Sequence, residues 1–123
     1  MEQRRFDLEE RLIGFAVETC RIAEALPATR LGNHVACQLL RSCTSPAPNY
    51  AEARAGESPR DFLHKISICL KELRETSVWL LFLERYGLAS GSALEAATAE
   101  ADELIAIFVA SVRTAERNQR SRR

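Results

Sequence analysis

The 123 residues are enough for one domain with a real core, and 17 Lys plus Arg balance 17 Asp plus Glu, so no overall field draws the chain to nucleic acid, anionic lipid or a basic partner. The charged start (Arg4, Arg5, Asp7, Glu9, Glu10, Arg11) is wrong for a signal peptide, and the longest strongly apolar run, Val78 to Leu83, is too short to cross a bilayer. A cytoplasmic protein is expected, with one domain over residues 1–116.

The first segment places Leu8, Leu12, Phe15, Thr19, Ile22 and Leu26 at alternating steps of four and three, with Ile13, Ala16, Cys20 and Ala23 widening the stripe. That spacing predicts a helix over about 8–26, with Asp7 as cap and Pro27 as stop. A second helix, about 30–54, opens at Thr29 and turns Leu31, Val35, Leu39 and Ser42 or Cys43 inward. Pro46 and Pro48 each remove an amide and crowd the preceding turn, so a break or kink is expected near 46–48.

Ser58 and Pro59 suit the cap and first position of a third helix, about 59–86. Phe62, Ile66, Cys69, Leu73, Thr76, Leu80 and Leu83 repeat as four, three, four, three, four, three, with Leu63, Leu70 and Val78 broadening the seam. Tyr86-Gly87 closes it. The fourth helix, about 91–116, is capped by Ser90 or Ser92 and faces Leu94, Ala97, Ala101, Leu104, Phe108 and Ser111 inward. Residues 117–123, which end in Arg117, Arg120, Arg122 and Arg123, have little to bury and read as a disordered basic tail. The predicted fold is all-α: an antiparallel up-down-up-down four-helix bundle with a proline kink late in the second helix.

Polar residues offer few sites. Cys20, Cys37, Cys43 and Cys69 form no C-x-x-C pair and sit among apolar residues, so reduced core thiols are expected rather than zinc ligands. Asp61-x-x-His64 has the spacing of one half of a di-iron element, and with Glu72 and Glu75 would be the only metal candidate, but no second copy exists. No hydrolase, P-loop, zincin or dinucleotide fingerprint occurs. The expectation is therefore no enzyme, no metal, no cofactor and no small-molecule substrate. Arg41, Arg54, Arg60, Lys65 and Lys71 are the helix cations that, with the tail arginines, would make a nucleic-acid surface.

The order Arg41-Ser42-Cys43-Thr44-Ser45, Asn49-Tyr50-Ala51-Glu52-Ala53, Ser58, Asp61 to Ile66, Leu70 to Thr76 and Trp79-Leu80 resembles the bacterial "four helix bundle protein" family, over about residues 7–112. That superfamily includes proteins encoded by intervening sequences in bacterial large-subunit ribosomal RNA genes. A more distant relative is the accessory variability protein of diversity-generating retroelements, a basic pentamer that binds a reverse transcriptase and nucleic acid. Glycines usual in the family are replaced here by Cys43, Pro46 and Pro48. The resemblance implies a bundle that often forms a homopentamer, no assigned molecular function for most members, and a signature at Arg41, Ser42, Thr44, Ser45, Asn49, Tyr50, Glu52, Lys65, Lys71, Glu72, Glu75 and Trp79.

The leading expectation is a self-assembling interaction or scaffold module with Trp79, Phe82 and Tyr86 available for subunit contacts. The alternative is a nucleic-acid-binding accessory protein that uses Arg41, Arg54, Lys65, Lys71 and the tail. In the signature, Asn49 and Glu52 are expected to hydrogen-bond amides freed by the kink.

Overall fold

The computed structural model describes residues 2–56 and 58–121, with side chains from Leu8 onward. It contains α1 (Glu2–Glu24), α2 (Arg30–Thr44), α3 (Pro46–Arg54), α4 (Pro59–Tyr86) and α5 (Ser92–Ser121), and no strand among the described residues. α2 and α3 are two parts of one bent helix, so the architecture is a four-helix bundle.

Sequence punctuation accounts for most of these boundaries. α1 begins well before Asp7, because Glu2 to Phe6 contain no breaker. Asp7 is thus a helical residue rather than the cap, and its side chain lies outside the described ones. α1 ends at Glu24, short of Leu26, with Leu26 N–H bonding Ala23 O at 3.2 Å in a last tight turn before Pro27. Thr29 caps α2 by accepting from Gly32 N at 3.0 Å. Ser58 caps α4 by accepting from Asp61 N at 3.0 Å, with Pro59 at the first position. Gly87, at φ 87°, closes α4, and both its N–H and that of Leu88 reach Leu83 O. Gly91, rather than Ser90 or Ser92, directly precedes α5, and its carbonyl accepts from Glu95 N at 3.1 Å.

The prolines bend the second helix without opening a loop. Ser45 keeps helical angles (φ −75°, ψ −40°), and Asn49 N–H still bonds Ser45 O at 3.3 Å. Pro46 starts α3, where a missing amide has no intrahelical role. At the far end, α5 runs to Ser121 in place of a frayed tail. Residues 113–121 hold no glycine or proline, and arginines are favoured near a helix C-terminus. Arg122 and Arg123 lie outside the described residues.

α1 adjoins α2–α3 and α5, while α4 adjoins α2–α3 and α5 from the opposite corner. Contacts run in opposite order along α2–α3 and each of α1 and α4. Glu9 meets Arg54 and Cys20 meets Cys43 between α1 and α2–α3; Lys65 meets Glu52 and Thr76 meets Ser42 between α4 and α2–α3. The interior holds the expected Leu12, Phe15, Val35, Leu39, Ile66, Cys69, Leu73, Leu80, Leu83, Leu104 and Phe108. Three expectations fail at its edge. Ile13 and Val78 are 42% and 65% exposed, and Cys37 is exposed, because each lies a step beyond the face that its helix turns inward. Thr19 Oγ1 is buried with no hydrogen-bond partner among the described residues.

Candidate functional site

Apart from Lys71, the signature residues divide into a polar seam where α2 meets α4, a kink lock, and a set at the α3 end of the bundle. In the seam, α2 presents His34, Gln38 and Arg41 at steps of four and three, and α4 presents Glu72, Glu75 and Trp79 at steps of three and four. Equal spacing on antiparallel helices lets them meet pairwise. Arg41 Nη1 donates to Glu72 Oε2 at 3.2 Å, and its other terminal nitrogen donates to Gln38 Oε1 at 3.3 Å and to Glu75. Glu72 is only 8% exposed, so this cation holds a nearly buried carboxylate. Glu75 in turn accepts from Trp79 Nε1 at 3.4 Å.

Beneath the charges, Thr76 Oγ1 donates to the Glu72 carbonyl at 2.9 Å and lies 2.9 Å from Ser42 Oγ, both side chains being fully buried. Above the charges runs an aromatic ridge. His34 packs edge-on to Trp79 at 6.0 Å, Trp79 edge-on to Phe82 at 5.8 Å, and Phe82 stacks on Tyr86 at 5.8 Å. The ridge leaves Val78 and Tyr86 each 65% exposed and Leu81 41% exposed.

At the kink, Asn49 Nδ2 donates to Ser45 O and to Ser45 Oγ, both at 3.0 Å. The expected bonding to freed amides is thus replaced by donation to an acceptor. A proline lacks the N–H itself, so donors are what a kinked turn lacks. Thr44 Oγ1 donates back to Leu40 O at 2.6 Å. Glu52 faces away from the kink and binds Lys65 Nζ at 2.7 Å, a contact that holds Lys65 above its ordinary pKa.

Tyr50 is buried edge-on to Phe108 at 5.8 Å, and the Arg54 guanidinium lies 5.9 Å over its ring while bonding Glu9 at 2.9 Å. Tyr50, Arg54 and Phe62 border a cleft of about 730 Å³ against Ser111, Thr114 and Asn118 of α5.

The anticipated nucleic-acid surface is largely neutralised. Arg41, Arg54 and Lys65 are tied to Glu72 and Glu75, Glu9, and Glu52. Lys71 is exposed and joins neither the seam nor another described partner, while Arg117 and Arg120 stand exposed on α5 in line with Arg113. Asp61 and Glu72 are eleven residues apart on α4, roughly 16 Å along its axis, so Asp61, His64, Glu72 and Glu75 cannot share one metal. Among the described residues no three metal-ligating side chains converge.

His34, Gln38 and Thr76 belong to the seam although they are not in the signature. Their signal was present: His34 and Gln38 continue the spacing of Arg41 along one edge of α2, beside rather than within the apolar stripe.

No curated protein matches the chain. Among solved structures, the crystal structure of a protein of unknown function from the S23 ribosomal protein family of Bacteroides thetaiotaomicron is similar. It is 27% identical, has a TM-score of 0.80, and aligns over 89% of this chain and 97% of its own. The family model described as "23S rRNA-intervening sequence protein" matches residues 5–110. With most of its length matched and the four-helix fold shared, the chain belongs to the 23S rRNA-intervening sequence protein family.

Proposed function

We propose that this protein is a non-catalytic, self-assembling helical module, cytoplasmic in location, that presents a multi-chain surface to another macromolecule. The observation that carries the reading is the α4 ridge. Val78, Leu81 and Tyr86 lie in water on a helix whose opposite face is fully buried, and Trp79 and Phe82 extend the same apolar surface. A second chain covering this ridge would remove that apolar area from water, the usual driving force of subunit contacts. The pentamer suggested by family resemblance is the assembly to test first.

A non-catalytic role also agrees with the seam chemistry. Glu72 and Glu75, the carboxylates most suited to acid–base work, are both paired with Arg41. The test is Val78→Glu combined with Tyr86→Ala. Both positions are exposed in the single chain, so helicity should be kept while the assembly falls to monomers. An unchanged mass with both substitutions would remove the ridge from the reading.

A second reading keeps nucleic acid as the partner, on one observation: Arg113, Arg117 and Arg120 line one side of α5 at steps of four and three, exposed and without a described acidic partner. Binding through them should weaken steeply with salt and be lost in the Arg117→Ala, Arg120→Ala double variant.

A further inference from the structure

We propose that Cys20 and Cys43 form an oxidation site, a thiol pair that hydrogen peroxide converts reversibly into a disulfide tying α1 to the junction of α2 and α3. The two Sγ atoms lie 3.7 Å apart on different helices. A disulfide requires about 2.0 Å, a gap that side-chain rotation can close when the helices already adjoin. Glu9–Arg54 and Cys20–Cys43 are separated by eleven residues on each side of the α1 and α2–α3 pairing, three helical turns, so the sulfurs sit in an established register.

The two thiols are unequal in a way that orders the chemistry. Cys20 is half-buried and lines an apolar groove with Ile13, Val17, Thr44 and Ala47, a path open to a small neutral oxidant. Cys43 is buried, with its thiol pushed up to about 12, mainly by burial and then by the neighbouring Cys20, so peroxide meets Cys20 first. Cys20 thiolate attacks one peroxide oxygen, the O–O bond breaks, and hydroxide leaves to take up a proton as water. Cys43 sulfur then attacks the Cys20 sulfenic sulfur; the S–S bond forms, the S–OH bond breaks, and the Cys43 proton departs with that hydroxide as a second water. Two thiols lose two electrons and one peroxide gains them. Cys37 is exposed and Cys69 is buried against Pro46 O, and neither has a sulfur neighbour among the described residues.

The test uses the full chain with Cys37→Ser, which removes the exposed competitor. After hydrogen peroxide treatment, the protein is unfolded in an alkylating agent and its peptides are mapped by mass spectrometry. The expected result is an intact mass lower by two hydrogens before alkylation, a peptide pair joined through Cys20 and Cys43, and its disappearance with dithiothreitol. Adding Cys69→Ser should leave the link, and adding Cys20→Ser should abolish it. Alkylation of Cys20 and Cys43 to the untreated extent, or a Cys20 sulfinic acid with no linkage, would overturn the proposal.

Discussion

Thr76 Oγ1 of α4 lies 2.9 Å from Ser42 Oγ of α2, fully buried beneath the charged groups of the seam. Each hydroxyl also has a backbone carbonyl within its own helix, Glu72 O for Thr76 and Leu39 O for Ser42. With one proton each, one hydroxyl donates across the pair and the other to its own helix, and the cross-helix bond fixes the axial position of α2 against α4, since a shift of one residue would separate the oxygens. Thr76→Val should cost about 1–2 kcal/mol by leaving Ser42 without its cross-helix partner. Adding Ser42→Ala should recover part of that loss. A urea double-mutant cycle should then give a coupling of about 1 kcal/mol, and strict additivity would remove the pair from this role.

Arg41 holds Glu72 from a half-exposed position, so only part of the contact is screened by water. Arg41→Ala leaves a nearly buried carboxylate without its cation and should destabilise by about 1–2 kcal/mol in urea melts. Arg41→Lys should restore less than half of this, because a single ammonium cannot reach Glu72, Glu75 and Gln38 together. Pairing Arg41→Ala with Glu72→Gln should be milder than Arg41→Ala alone, since the nearly buried position then carries no charge.

Two helical glycines should respond in opposite directions. A Cβ on Gly32 would stand 1.9 Å from the Pro27 carbonyl oxygen, a backbone atom that cannot yield without unwinding the turn before α2. Gly32→Ala is expected to cost at least about 2 kcal/mol. Gly14 lies inside α1 and is exposed with nothing near its missing Cβ, so Gly14→Ala should stabilise by about 0.5–1 kcal/mol. Thermal melts of the two variants read both signs.

The four helices and their inward faces were legible because burial follows the three-four spacing. Leu73, Thr76, Leu80 and Leu83 sit in the core where the α4 pattern places them. Helix starts were legible where a side chain makes the cap, as at Thr29 and Ser58, and illegible before Ser92, where Gly91 offers none. The far end of α5 is hard to read because its low apolar content argues for fraying, whereas no breaker after Arg113 ends the helix. Within the signature, Arg41, Glu72 and Glu75 were named by family resemblance alone, and their pairing depends on the rotation of α2 about its axis. Likewise the neutralisation of Arg54 by Glu9 joins residues 45 apart, a contact that only the closed bundle creates.

Self-assembly through the outer face of α4 is the central claim, and its most direct test is the molar mass of the unmodified chain by light scattering across a dilution series. The account predicts a stable multiple of the 13.8 kDa chain, converted to single chains by Val78→Glu with Tyr86→Ala. A mass of one chain at every concentration would contradict it.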